Sequence, residues 1–286
     1  MKQLTIQQFF KFFKNDDACL EHVMAVRYGL KGKCPKCAEE TKFSRVSSQR
    51  AYACQWCGWH TYPCVGTPFE DSRTSLQLWF YAIYLFTQTR SGVSAKELQR
   101  QLGVTYKCAW RIGHEIRKHM GSIGGDPKLS GNVEVDEAYF GGYRKGGQGG
   151  KGKTVMLGIL ERGGNVKTKV IKNRKWLSLI PPISESVEKG STIHTDEYMI
   201  YNSLDKLGKA YKHEAVNHSQ EEYARGNSHV NTLEGYWSRL KNSINGTHVH
   251  VSAKHLDKYA GEFAYRFNRR LRPYLMLPEL LGTYNH

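Results

Sequence analysis

Three carboxylates and four thiols in this 286-residue chain stand at positions where their types and spacing could do chemistry. The first carboxylate, Asp136, lies in Gly131-Asn-Val-Glu-Val-Asp136-Glu-Ala-Tyr-Phe-Gly-Gly142, where Val133 and Val135 alternate with Glu134 and Asp136 as residues of a strand do. A carboxylate in an apolar strand is costly to bury alone and needs a cation, a hydrogen-bond partner or a proton. Taken by itself Asp136 reads as a strand-end aspartate facing solvent; two later segments turn it into a candidate metal ligand. Ser191-Thr-Ile-His-Thr-Asp196-Glu-Tyr198 reads as a further strand that delivers Asp196 at its C-terminal end. Residues 228–244 read as a helix whose apolar stripe, Leu233, Trp237, Leu240 and Ile244, holds Glu234 at the margin of the core. Lys241 lies on the side of Glu234 two turns further on, roughly 10 Å away, and Asn231 lies one turn before it.

The thiols form two knuckles, Cys34-Pro-Lys-Cys37 and Cys54-Gln-Trp-Cys57, separated by sixteen residues. Paired CxxC turns at this spacing present four thiolates tetrahedrally to a structural Zn²⁺, and the intervening stretch has the length of a hairpin, which predicts a zinc ribbon. His60 and Cys64 are close enough to substitute, but four better-spaced thiolates already fill a closed site. Cys19 and Cys108 fall in helical patterns and read as small packing side chains. Lys31, Lys33, Lys36, Arg45 and Arg50 give the ribbon a surface suited to DNA or protein.

Composition agrees with an anionic partner. Lys plus Arg number 42 against 26 Asp plus Glu, a net charge of +16 with a pI near 9.5, and nucleic acid is the commonest polyanion. No run approaches the ~18–20 apolar residues of a membrane span, and no apolar leader follows Lys2, so the expectation is a cytoplasmic, nucleoid-associated protein without a membrane partner. With an odd number of cysteines and a reducing compartment, disulfides are not expected.

The elements that must position these groups can be read in order. Residues 4–28 suggest one or two short helices, with Ile6, Phe9, Phe10 and Phe13 on one face and Cys19, Val23 and Val26 on the next. An aromatic amphipathic helix over 74–89 places Leu76, Trp79, Ile83 and Phe86 in a core. Ser94-Ala-Lys-Glu97 starts a helix that stops at Gly103, and a second runs to about Met120, which together predict a helix-turn-helix. On that second helix Trp110, Gly113, Ile116 and Met120 form one face, while Lys107, Arg111, His114 and Lys118 form another that can lie along DNA. After a linker over 121–131, strands over 155–160 and 166–171 joined by Glu161-Arg-Gly-Gly164 follow the Asp136 strand, then a helix over 184–189 and the Asp196 strand. Three antiparallel strands, a helix and a parallel strand is the order of a ribonuclease-H-like fold. Between Gly141 and Lys153 lies a loop of seven glycines with Arg144, Lys145, Lys151 and Lys153, suited to phosphate. A last long helix over 253–271 carries Leu256, Tyr259, Phe263 and Phe267 inward and ends in Arg266, Arg269, Arg270 and Arg272. The expected organisation is multidomain, α+β and α/β: N-terminal helices over 1–30, a zinc ribbon over 31–66, a helix-turn-helix region over 74–121, and a ribonuclease-H-like mixed sheet flanked by helices over 130–286, including the C-terminal helix.

These motifs together resemble the DDE-type transposases of bacterial insertion sequences, in the subgroup with an N-terminal zinc ribbon. The resemblance rests on the two cysteine knuckles, on Gly92-Val-Ser-Ala-Lys-Glu and the residues that follow to Lys107, on Val133 to Gly142, on His194-Thr-Asp196, on His229-Val-Asn with Glu234, Trp237, Ser238 and Lys241, and on Glu262-Phe with Arg266-Phe-Asn-Arg269. It implies a catalytic triad of Asp136, Asp196 and Glu234 holding two Mg²⁺ or Mn²⁺ ions, with Lys241 on a phosphate near the scissile bond. Asn231 is the alternative third member; the spacing from Glu234 to Lys241 favours the glutamate. His229 and His194 would support that shell. The same resemblance implies hydrolysis at the element's end followed by attack of the freed 3′-hydroxyl on target DNA. The ribbon and Lys107, Arg111, His114, Lys118, Arg144 and Lys145 would engage the terminal inverted repeats, in a homodimer or larger assembly. Competing readings are a DNA-binding regulator without catalysis and a ribonuclease-H-like nuclease or resolvase.

Overall fold

The computed structural model describes residues 3–123, 127–141, 152–204, 210–215 and 230–284. The chain divides into two compact units, Met1–Ile123 with Arg272–His286, and Gly124–Leu271. No helix among the described residues is long and apolar enough to cross a membrane.

In the first unit, α1 (Ile6–Phe12) starts at a capping box in which Thr5 Oγ1 accepts from Gln8 N–H and Gln8 Oε1 accepts from Thr5 N–H. The Asn15 side chain caps α2 (Asp16–Arg27). Of the four apolar residues expected on one face, Phe9 and Phe13 are buried, whereas Ile6 and Phe10 are exposed. Next comes an antiparallel four-stranded sheet in sequential order, β1 (Lys31–Lys33), β2 (Glu40–Val46), β3 (Ala51–Cys54) and β4 (His60–Thr61). Its central β2–β3 hairpin is the one expected between the knuckles. The helix α3 (Leu76–Gln88) buries Leu76, Trp79, Ile83 and Phe86. Ser94 caps α4 (Ala95–Leu102), which ends on Gly103 in the left-handed region at φ 65°, and Thr105 caps α5 (Tyr106–Ser122). The chain ends in α9 (Met276–Gly282), which belongs to this unit: His22 and His119 each place Nε2 on a backbone oxygen of that segment, Leu281 at 3.1 Å and Leu280 at 3.0 Å. The apolar face of α9, Met276, Leu277, Leu280 and Leu281, is buried within the first unit, whereas the chain up to Leu271, including the last long helix, belongs to the second.

The second unit is built on a five-stranded sheet in the order β7-β6-β5-β8-β9. The strands β5 (Asn132–Phe140), β6 (Thr154–Glu161) and β7 (Val166–Ile171) are antiparallel; β8 (Thr192–Thr195) and β9 (Lys212–Ala215) run parallel to β5. Because side chains alternate along a strand, the sheet has two apolar faces. Val133, Val135, Leu157 and Ile193 pack with Leu179, Ile180 and Ile183 of α6 (Trp176–Ser186). Ala138, Phe140, Met156 and Leu160 pack with Leu233, Trp237 and Leu240 of α7 (Asn231–Ser243) and with Leu256, Ala260 and Phe263 of α8 (Leu256–Asn268).

Two elements differ from expectation. The helix α6 covers Trp176–Ser186 rather than 184–189, with Pro181 and Pro182 inside it. Each proline removes one backbone hydrogen bond, yet burial of Leu179, Ile180 and Ile183 against the sheet outweighs that cost. The edge strand β9 is short and polar, Lys-His-Glu-Ala, and carries no alternation to announce it. The glycine-rich loop with Arg144, Lys145 and Lys151, and also His229, lies outside the described residues.

Candidate active site

The four knuckle cysteines converge: their sulfurs lie within 4.8 Å of one another. Cys34 Sγ is 3.6 Å from Cys57 Sγ and Cys37 Sγ is 3.8 Å from Cys54 Sγ. Tetrahedral Zn²⁺ with sulfur at about 2.3 Å requires sulfurs about 3.8 Å apart, so the thiols fit the ion. Trp56 N–H donates to Cys54 Sγ at 3.4 Å. Burial raises the Cys54 thiol, but N–H groups of Cys57 and Trp56 and the Thr41 hydroxyl outweigh it, leaving the thiol lowered to about 6 and ready to bind as thiolate. Cys64 lies outside the cluster, and burial pushes its thiol up to about 11; Cys19, buried in α2, is pushed to about 12. Both are inert packing residues.

The carboxylates meet where β5 and β8 end their pairing. Those two strands pair in parallel, with Val133 opposite Ile193 and Glu134 opposite His194. Continuing that register sets Asp196 beside Asp136. Among the described residues, oxygens of Asp136, Glu137 and Asp196 lie within 4.8 Å of one another. Tyr198 N–H donates to Asp196 Oδ1 at 3.1 Å, and Trp237 Nε1 donates to Asp136 Oδ2 at 3.1 Å. Burial, followed by the neighbouring charges of Glu137 and Asp196, raises the Asp136 carboxyl to about 6, against the N–H donors of Glu137 and Trp237. Burial also raises Glu137, which accepts from the Tyr201 hydroxyl and pairs with Arg174 at 2.8 Å. Three hard oxygen donors that repel one another when charged are a donor set for Mg²⁺ or Mn²⁺.

The helix α7 is tied to this strand pair from below. Glu134 is fully buried on β5; its Oε2 accepts Leu233 N–H at 2.9 Å, and its Oε1 accepts Thr232 Oγ1 at 3.0 Å and Arg162 Nε at 2.8 Å. Val230, which precedes the helix, supplies no side-chain cap, so the strand carboxylate satisfies a first-turn N–H in its place. Glu234 is exposed on the turn before Trp237 and is not among the oxygens that meet at Asp136. Lys241 Nζ lies 5.9 Å from the centroid of the Phe140 ring, on the face of β5 that also carries Asp136. His194 is buried between Asn132 Oδ1, at 3.1 Å from its Nε2, and Glu214 Oε2, at 3.5 Å from its Nδ1.

On α5, Lys107 and Lys118 are exposed. Arg111 donates to Ser72 Oγ at 3.0 Å and lies over the Trp79 ring. His114 is corrected to a packing residue: it is 2% exposed and stacked on Trp110 at 3.8 Å, while Trp110 itself is exposed. Arg266 likewise is engaged internally, pairing with buried Glu262 at 2.7 Å. Sequence reasoning missed Glu137, Arg174 and Tyr201. The only signal was the doubled acid Asp136-Glu137, and strand alternation assigns its second member to the opposite face.

A sheet ordered with its first strand central and its fourth beside it, with acids on the first and directly after the fourth and a four-cysteine ribbon earlier in the chain, defines a ribonuclease-H-like acidic domain joined to a zinc ribbon. Residues 128–268 match the ISXO2-like transposase domain family, and residues 14–60 match the transposase zinc-ribbon domain family. The chain belongs to the DDE-type insertion-sequence transposases that carry an N-terminal zinc ribbon. It is 28% identical over 255 residues, 82% of this chain and 84% of the relative, to an uncharacterized protein in transposable element ISH50 of Halobacterium salinarum. It is also 29% identical over 106 residues, 36% of this chain and 80% of the relative, to an uncharacterized transposase-like protein of Haemophilus influenzae.

Proposed function

We propose that this transposase binds the terminal inverted repeats of its insertion sequence and carries out metal-dependent DNA cleavage and strand transfer at the Asp136–Asp196 cluster. The observation that carries the reading is the meeting of two carboxylates from separate strands, with a third beside them, in the domain that matches the transposase family. Asp136 and Asp196 would hold the ions, and Glu234, exposed on α7 and outside the carboxylate cluster, would serve as the third member of the triad. Mg²⁺ or Mn²⁺, two per site, would supply activation of the attacking oxygen and neutralisation of the leaving one.

The chain's own groups do the rest. Trp237 fixes one oxygen of Asp136, and Tyr198 N–H fixes one oxygen of Asp196, so both carboxylates present their remaining oxygens in a set direction. Lys241 offers a cation to a phosphate alongside the cluster. In the first step water attacks phosphorus and the P–O3′ bond breaks, leaving a 3′-hydroxyl on one side and a 5′-phosphate on the other. In the second that hydroxyl loses its proton and attacks a target phosphodiester, expelling the target's 3′-oxygen. Lys107 and Lys118, with Arg111 and the loop cations Arg144 and Lys145, contact the DNA backbone, and the ribbon extends that contact. Two ends must be joined together, which calls for a homodimer or larger assembly acting on DNA in the cytoplasm.

Incubating the protein with Mg²⁺, an end-bearing duplex and a target plasmid tests this reading. Joined end–target products are expected. Cleaved ends without joining would make it a nuclease, and binding without cleavage would make it a regulator.

A further inference from the structure

We infer that Arg174 is a resident counter-cation of the carboxylate cluster, and that a divalent ion entering the site must displace its guanidinium from Asp196. This inference rests on the reading above that the cluster holds divalent ions, and it says what occupies their place beforehand.

Arg174 Nη2 lies 2.8 Å from Glu137 Oε2 and 3.4 Å from Asp196 Oδ2, so one nitrogen bridges two members of the cluster. The two contacts are unequal. The Glu137 side chain is 2% exposed and the bond to it has the length of a charge-assisted hydrogen bond; the Asp196 side chain is 33% exposed and the contact is long. Glu137 is therefore the anchor and Asp196 the exchangeable partner. Tyr201 and Tyr198 set this geometry from two sides. The Tyr201 hydroxyl donates to Glu137 Oε1, while the guanidinium lies 4.2 Å above the Tyr198 ring, whose own hydroxyl donates to the Arg174 carbonyl at 3.0 Å. Arg174 Nε is buried without an acceptor among the described residues. The guanidinium is thus held by charge and by the ring beneath it rather than by a complete set of hydrogen bonds.

The physical consequence follows from Coulomb's law. Three carboxylates this close repel one another, and a single guanidinium offsets part of that repulsion when no ion is bound. An oxygen of Asp196 that faces Arg174 is not free for an ion, and a guanidinium and a doubly charged cation repel one another at this separation. Each cation therefore weakens the binding of the other, a negative coupling between Arg174 and the metal.

Direct Mn²⁺ binding to the full-length, zinc-loaded protein, followed by the electron-spin-resonance signal of free Mn²⁺, tests the inference without recourse to activity. Arg174→Gln is expected to bind Mn²⁺ roughly tenfold more tightly than wild type, a typical coupling strength. Arg174→Lys keeps a charge for Glu137 but cannot span both acids, and it is expected to tighten binding by a smaller factor; it serves if the glutamine variant fails to fold. In an Asp196→Asn background the gain from Arg174→Gln should shrink, because the exchangeable partner is gone. Equal or weaker binding by both Arg174 variants, with Mn²⁺ bound by wild type, overturns this inference alone. Absence of Mn²⁺ binding by wild type overturns the metal reading and the inference with it.

Discussion

Gly158 sits opposite Asp136 in the β5–β6 ladder, and Trp237 occupies the space that a Cβ on Gly158 would need. Leu233 Cδ1 would stand 2.9 Å from the same Cβ. A glycine at this one ladder position lets α7 approach the sheet closely enough for Trp237 Nε1 to reach Asp136. Gly158→Ala is expected to destabilise the protein by about 1–3 kcal/mol, the usual cost of overpacking. It should also slow DNA cleavage by moving α7 off Asp136. Urea unfolding and single-turnover cleavage measure the two effects, and an alanine variant with wild-type values in both would remove the packing argument.

The buried Glu134 clamp predicts a graded series. Glu134→Ala leaves Arg162 and the Leu233 N–H without their carboxylate and should cost about 3–5 kcal/mol. Thr232→Ala deletes one hydroxyl donor and should cost about 1 kcal/mol. Denaturant midpoints for the two variants rank them; equal costs would mean that Glu134 does not anchor the helix.

Zinc removal should act locally. The ribbon sheet is small, and its strands are held at the knuckle end by four thiols, so a chelator is expected to abolish amide protection over 31–61. Protection of the β5–β6–β7 strands, whose core is built from residues of the second unit, should survive. Hydrogen exchange with and without zinc reads both regions; loss of protection in β5–β7 on chelation would contradict the prediction.

Asp136 makes stability and metal binding depend on pH in opposite directions. Its carboxyl is raised from 3.8 to about 6, so the folded chain holds this proton more tightly than the unfolded chain. The site's contribution to stability is therefore complete below 3.8 and is lost as pH rises through about 6. Metal competes with the same proton, so Mn²⁺ affinity should climb as pH rises towards about 6 and flatten above it. The difference in melting temperature between wild type and Asp136→Asn across that range isolates the site; a difference independent of pH would contradict the assignment.

How much of this was legible depended on which physical signal each residue carries. Asp136 could be found because it lies in an apolar strand, and Asp196 because it directly follows one, and the order of elements sets those strands side by side. The ribbon was legible because thiolate spacing is dictated by the ion. Glu137 was not: alternation sends it to the other face from Asp136, and only the end of the β5–β8 pairing lets both carboxylates reach one place. Arg174, in a Lys-Asn-Arg-Lys turn, has no periodic signal at all. His114 on α5 reads as a surface residue from its polarity, yet it is buried, as is Arg117, which donates to the Val93 carbonyl at 2.7 Å and lies against the Phe86 ring. Helical spacing places residues by angle, and it says nothing of how wide the packed face will be. Pro181 and Pro182 are local breakers, yet α6 runs through them because its apolar side is buried against the sheet.

Single-turnover cleavage of an element-end duplex in Mg²⁺ by wild type, Asp136→Asn and Asp196→Asn, with end binding measured on the same preparations, tests whether the two aspartates carry the chemistry. Both variants are expected to bind the end as wild type does, while cleavage falls by at least about a thousandfold. Cleavage at the wild-type rate by either variant would contradict that role.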